Sequence, residues 1–228
     1  MTSRLPRPQA APRLALLLAP LLVPLLGSCA GVRTLADPTL VIQTRGGVEL
    51  GAATDYGVVF LGSTAPAGEV EITAWYGDGP SIERSVIEPI DAGLYTAETE
   101  IRLPSVPLSF RDPRPGEKVL VRGRFPGGAW EEEVTVRAEQ SVEGLLIDVP
   151  RIIRGHPDQI GAGVYVLPGG ERAQMRLVGL VSGRLRLIRP QGEREYLTVV
   201  GPRHLWRLVT HRRDLLRRRP WIYREDIL

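Results

Sequence analysis

Hydrophobic residues fall into three patterns along the chain. The first is a nearly unbroken run, Leu14 to Leu26, of Leu, Ala, Val and Pro. The second begins at Leu40 as a succession of short segments. Leu40-Val41-Ile42-Gln43-Thr44 stops at Gly46-Gly47, and Val48-Glu49-Leu50 follows. Gly57-Val58-Val59-Phe60-Leu61 is a continuous apolar run of the buried-strand kind. Val70 to Trp75 alternates, as one half-buried strand does, and ends at the turn Gly77-Asp78-Gly79-Pro80. Ser81 to Glu88 and Leu94 to Leu103 predict two more strands. Leu103 to Gly116 carries Pro104, Pro107, Pro113 and Pro115 and reads as a linker. Seven further strands are expected at Val119–Arg122, Trp130–Arg137, Leu145–Asp148, Gly163–Leu167, Arg176–Val181, Leu185–Ile188 and Tyr196–Val200. Many short strands with frequent turns predict an all-β sandwich or barrel.

The third pattern is helical. Pro202 suits a first helical turn, where its missing N–H is not needed. Leu205, Leu208, Val209, Leu215 and Leu216 make one apolar face, with Arg203, Arg207, Arg213 and Arg217 directed elsewhere. Pro220 is expected to end the helix and Trp221-Ile222-Tyr223 to pack back on the domain. The expected organisation is therefore 1–28, a leader; 29–38, a tether; 39–202, a β domain with halves 39–110 and 116–202; and 203–228, a basic helix and tail.

The leader has the three-part form of an export signal. Arg4, Arg7 and Arg13 give a basic start with no acidic residue, and the apolar run is shorter than the roughly 20 residues a bilayer span needs. Leu26, Gly27, Ser28 and Cys29 then run aliphatic, small, small, cysteine. This resembles the lipobox of bacterial lipoproteins. The resemblance implies that Cys29 receives a diacylglyceryl group, that cleavage follows Ser28, and that the new amino terminus is acylated, commonly with palmitate. Two chains anchor stably, each buried methylene contributing about 0.8 kcal/mol. Ala30 is not the Asp that the sorting pattern uses for retention. The expected location is the cell envelope, on the outer membrane if the cell has one.

Composition changes this picture in two ways. Cys29 is the sole cysteine, so no disulfide can form within the mature domain. Some two hundred residues suffice for a packed core without one. The formal charge of +3 comes from the three leader arginines, and the mature chain is neutral. Nucleic-acid binding by the whole protein is not supported. Residues 203–228 nonetheless hold eight Arg against Asp214, Glu225 and Asp226. Arg212, Arg213, Arg217, Arg218 and Arg219 either form a solvated helix face or meet anionic lipid head groups.

Two groups of strands, a linker and a terminal helix resemble the chymotrypsin-like double barrel. Asp91-Ala92-Gly93-Leu94-Tyr95 before Ile101-Arg102-Leu103-Pro104 is similar to the segment carrying the triad aspartate of trypsin-like proteases. Asp158-Gln159-Ile160-Gly161-Ala162-Gly163-Val164 resembles the Gly-Asp-Ser-Gly-Gly-Pro-Val nucleophile loop, and Leu177 to Gly183 the strand after it. The resemblance spans about residues 40–200 and implies a two-barrel fold; a single sandwich or barrel is the alternative. It also implies a lost active site. Ile160 stands in the nucleophile's place, and the family's order is His, Asp, Ser. His156, His204 and His211 all follow Asp91. Gly161 and Gly163 are expected to remain because the loop backbone needs room.

Other chemistries find little support. Gly179-Leu180-Val181-Ser182-Gly183 has the wrong spacing for a nucleophile elbow. The sole lysine, Lys118, follows Pro115 where a Ser-x-x-Lys centre would need serine. His156-Pro157-Asp158 is two ligands short of a zinc site's usual four, and is read as a turn. His204 and His211 are read as surface or helix-docking residues, Glu131-Glu132-Glu133 as a solvated strand end, and Trp75, Trp130 and Trp221 as core or interface residues. No cofactor and no metal are expected. The sequence thus predicts a non-catalytic, pseudo-protease-like module of the envelope, either binding or structural, with another envelope protein as a candidate partner. The rival is an envelope hydrolase whose active site spacing does not reveal.

Overall fold

The computed structural model describes residues 37–218, except 65, 66, 92, 101, 102, 139–143, 157, 158 and 191, and without the side chains of 91, 173 and 215–218. The leader, Leu26-Gly27-Ser28-Cys29, the tether to residue 36, Arg219 and the tail lie outside the described residues.

Six strands close into a first barrel: β1 (Asp37–Thr44), β2 (Gly47–Thr54), β3 (Gly57–Phe60), β4 (Glu69–Tyr76), β5 (Gly79–Asp91) and β6 (Leu94–Ala97), in the order β1-β2-β3-β6-β5-β4. Pairing of Ile42 with Ile72 across β1 and β4 shuts the ring. The alternating positions point inward, and Leu40, Ile42, Phe60, Val70 and Ile72 fill the interior. Burying such a side chain contributes about 1.5–3 kcal/mol.

The second half contains β7 (Lys118–Phe125), β8 (Gly128–Thr135), β9 (Leu145–Asp148), β10 (Gly163–Val166), β11 (Arg176–Arg189) and β12 (Gly192–Val200), ordered β8-β7-β10-β11-β12-β9. A bridge between Val136 and Ile147 brings the two edge strands together, so this sheet also curls closed. Arg137 reinforces the seam with two 2.6 Å hydrogen bonds to the Asp148 carboxylate. The interior holds Val119, Val121, Trp130, Val164, Val178 and Val199.

Several boundaries differ from the sequence reading. β6 stops at Ala97, not Leu103. The prolines then impose an extended path whose backbone bonds the two barrels in turn. Val106 donates to Ala53 and accepts from Asp55, and Ser109 donates to Leu177 at 2.7 Å. Two strands expected at 176–181 and 185–188 are one strand, β11, with a register shift between Val181 and Gly183. A bulge adds a residue without ending the strand. β1 starts at Asp37, inside the expected tether, because Asp37 is held on both sides. Glu131-Glu132-Glu133 is no solvated end. It lies within β8, where Glu131 pairs with Arg172 and Arg122, Glu132 accepts the Ile152 N–H, and Glu133 pairs with Lys118.

A third core joins the barrels. Ala52, Val59, Leu61 and Leu94 of the first meet Leu120, Tyr165, Leu177 and Leu180 of the second. The helix α1 (Pro202–Arg218) caps this core with Leu205 and Leu208, both essentially inaccessible. Among the described residues, all three cores are built within residues 40–209. No helix among the described residues is long and apolar enough to cross a membrane.

Charge is buried at the same junction. Asp37 on β1 receives Arg124 Nη2 at 2.7 Å and has Arg122 Nε at 3.3 Å, both from β7. Its Oδ1 also accepts the Thr39 N–H at 3.0 Å. The three side chains are 10–15% exposed, so the pairs are little screened. Replacing Asp37 by Asn should take the charged partner from Arg124 and leave Arg122 with Glu131 alone, 3.9 Å away. We expect a loss of about 3–5 kcal/mol in urea denaturation; an unchanged midpoint would show that the barrels do not depend on this pair.

Candidate functional site

Where the barrel walls diverge they leave a cleft of about 630 Å³, within the range of ligand sites. The first barrel lines it with the start of β2, the Ser63-Thr64 loop and β4. The second lines it with the end of β7 and the Gln159-Ile160 loop. Val48, Leu50, Trp75, Phe125 and Ile160 make much of it apolar.

At one end sits Glu49, only 3% exposed. Its carboxylate accepts the Ser63 N–H at 3.0 Å, Ser63 Oγ at 2.9 Å and Thr64 Oγ1 at 2.9 Å. Thr64 Oγ1 also lies 2.9 Å from the Thr44 hydroxyl. The buried carboxylate is thus satisfied by the loop it organises. Across the cleft the Arg124 guanidinium lies 3.7 Å from the Trp75 ring centroid while held by Asp37. Beneath, Tyr165 is wholly buried. Burial pushes its phenol far above the ordinary value, against a smaller pull downward from Arg122, so it stays neutral at physiological pH.

The Gln159-Ile160-Gly161 turn is fastened to both barrels. The Leu50 N–H donates to the Ile160 carbonyl at 3.0 Å, and the Gly161 N–H donates to Val181 at 2.8 Å. The Gln159 Oε1 accepts the Trp130 indole N–H at 3.1 Å. Gly161 has φ +84, and a Cβ there would lie 1.8 Å from the Leu50 carbonyl oxygen. At Gly163 a Cβ would lie 2.3 Å from the Tyr165 hydroxyl. Close approach therefore requires glycine at both positions.

Ile160 lines the cleft and packs against the core shared by the barrels. Asp91 ends β5, its backbone paired with Leu94; its side chain is outside the description. The preceding residue, Ile90, packs on the same shared core as Ile160. Asp158 also lies outside the described residues. His156 is exposed beside the Phe125 ring, 5.2 Å away. His204 is exposed too, whereas His211 docks: its Nε2 lies 3.0 Å from Glu88 of β5. The sequence offered only Asp214 as a carboxylate near these histidines; the fold supplies one from the other barrel. Arg213 is exposed and Arg212 half-buried; the side chains of Arg217 and Arg218 are not described. Trp130 is a core residue and Trp75 a cleft wall. No cluster of three or more His, Cys, Asp or Glu able to hold a metal occurs among the described residues.

Sequence reasoning missed Glu49, Ser63, Thr64 and the Asp37–Arg122–Arg124 group. One sign was present at Val48-Glu49-Leu50. An ordinary half-buried strand would expose Glu49, yet Val48 is 57% exposed and Glu49 buried. Only the loop at 63–64, which follows β3, explains the inversion.

Comparison with solved structures assigns the fold. The chain is similar to the MamO protease domain from Magnetospirillum magneticum, with a TM-score of 0.54, 19% identity, and coverage of 79% of this chain and 98% of that one. It is similar to a mutant, inactive form of Rv3671c from M. tuberculosis H37Rv, with a TM-score of 0.51, 14% identity, and coverage of 76% and 85%. A human pathogenic astrovirus serine protease gives a TM-score of 0.51, 13% identity, and coverage of 73% and 91%. No protein-family model matches the chain, and no curated protein matches it. The chain has the chymotrypsin-like two-barrel fold with a C-terminal helix, as the sequence resemblance implied.

The Glu49 network is testable. Glu49→Ala leaves the Ser63 N–H and two hydroxyls without their acceptor, and should cost about 2–4 kcal/mol in urea denaturation. A change below about 0.5 kcal/mol, as at ordinary surface sites, would show that the loop holds itself.

Proposed function

We propose that this chain is an envelope lipoprotein, anchored through acylated Cys29, whose chymotrypsin-like domain binds a ligand in the cleft without cleaving it. The observation that carries the reading is the state of the cleft. In the turn that resembles a nucleophile loop, Ile160 presents a hydrocarbon side chain, and no histidine is among the described residues that line the cleft. A serine hydroxyl needs a base to act as nucleophile at neutral pH. The polar groups here are bonded to one another: Glu49 to its loop, Arg124 to Asp37, Gln159 to Trp130. The apolar wall of Trp75, Phe125 and Ile160 is the surface open to a ligand.

A second reading rests on one contact. Ser63 Oγ donates to the buried Glu49 carboxylate at 2.9 Å, beside the cleft, and a carboxylate can serve as a base. Against it, the same carboxylate takes two further donors, which hold it as a structural acceptor. A fluorophosphonate probe separates the two. We expect no covalent labelling of the mature domain. Labelling of Ser63 that disappears in Ser63→Ala would establish the hydrolase reading instead.

The anchor has its own test. In cells expressing the full chain, Cys29 should incorporate labelled palmitate, and Cys29→Ser should abolish incorporation and leave an uncleaved precursor. Continued cleavage without acylation would identify an ordinary export signal and remove the anchor.

A further inference from the structure

The side of α1 turned away from the barrels is exposed and lies apart from the cleft. Leu205 and Leu208 face inward, and the opposite face exposes Arg203, Trp206, Arg207 and Arg213. At about 3.6 residues per turn these positions fall within one third of the helix circumference. Trp206 is 49% exposed although it is the largest apolar side chain on the element. It meets Phe110, itself 53% exposed, edge to face with ring centroids 4.4 Å apart. An aromatic pair held rigidly by the linker and the helix therefore stands at the surface. Beside Phe110 a hollow of about 730 Å³ continues the patch, with Lys118 and Arg176 among its cations. Asp112 lies 3.9 Å from Arg203 and offsets one charge. Six arginines against Asp214 give α1 a balance of +5.

We propose that this face, centred on Trp206 and Phe110, docks onto an anionic phospholipid surface. The two side-chain types on it divide the work. Tryptophan and phenylalanine seat at the boundary between head groups and acyl chains, while arginines remain at the phosphate level. Attraction to anionic lipid is charge-complementary and worth about fivefold in binding per basic residue. The proposal deepens the anchored reading and rests on it for delivery. Eight chain steps separate Cys29 from Asp37, a reach of at most about 28 Å. A domain of this size is about 40 Å across. An anchored domain on so short a tether stays against the bilayer, and the face that meets the lipid must tolerate or favour it. This surface overlaps the arginine cluster that the sequence alone picked out only at Arg213: Arg203, Arg207 and the aromatic pair are added, and Arg212 is half-buried.

The test uses residues 30–228, which hold all three described cores and lack the acyl chains. Sedimentation with vesicles of phosphatidylglycerol in phosphatidylcholine should show binding that weakens as salt is raised, with little on phosphatidylcholine alone. The triple substitution Arg203→Gln, Arg207→Gln, Arg213→Gln should weaken it about a hundredfold, from about fivefold per arginine. Trp206→Ala and Phe110→Ala should each weaken it several-fold. Brominated lipid should quench a fluorescence component that Trp206→Phe removes while keeping the ring pair. The substituted residues lie outside the three cores, so each variant should still unfold in one cooperative transition. No binding to anionic vesicles, equal binding to neutral ones, or binding indifferent to these substitutions overturns the proposal. A protein partner captured by this face without vesicle binding overturns it also. If Cys29 proves unacylated while vesicle binding stands, the anchor fails and the surface survives; the reverse result removes the surface alone.

Discussion

The two curled sheets adhere through apolar contact between their walls, and Leu50 of the first also enters the core of the second. Leu61 and Leu94 of one barrel press against Leu120, Leu177 and Leu180 of the other, with Tyr165 buried among them. Outward positions of these strands are thus committed to burial, unlike those of an isolated barrel. The buried charges of Asp37, Arg122 and Arg124 lie at the same junction, and a pair of that kind tolerates only one geometry. Curvature does the rest. Walls that touch along a line must separate on either side of it, and the cleft opens where they part.

The cleft's chemistry follows from that separation. Its polar side chains come from both barrels, yet nearly every one is occupied in fixing a piece of backbone. Glu49 fastens the loop at 63–64, Gln159 takes the indole of Trp130, and Asp37 draws Arg124 over Trp75. What faces a ligand is mainly hydrocarbon and aromatic surface with fixed dipoles at its margins. Such a lining favours recognition of an apolar group with a few placed polar contacts.

The class of the fold was legible because short alternating segments leave little room for helices before Pro202. The resemblance around Gln159-Ile160-Gly161 also led to a loop that does line the cleft. Strand ends were less legible. Ser182-Gly183 reads as a break, but a bulge absorbs it within β11. The prolines at 104 and 107 read as a linker, yet the backbone around Val106 and Leu108 pairs with both barrels. The site itself was mostly illegible. Glu49 and Ser63 are fourteen positions apart, and Asp37 and Arg124 eighty-seven, so only folding brings them together. Trp206 was hidden for a different reason. A tryptophan next to Leu205 reads as core, and its exposure depends on which side of α1 the barrels occupy.

The position of α1 has a consequence for the order in which the molecule can assemble. Leu205 and Leu208 complete the wall between the barrels, and His211 reaches Glu88 of the first barrel, but these residues follow every strand of both barrels along the chain. Each barrel can curl shut on its own strands while the chain is still emerging. The surface between them stays apolar and uncovered until the final turns of helix arrive. Loss of the C-terminal segment would leave two finished barrels with a sticky seam, the state in which domains exchange partners and aggregate.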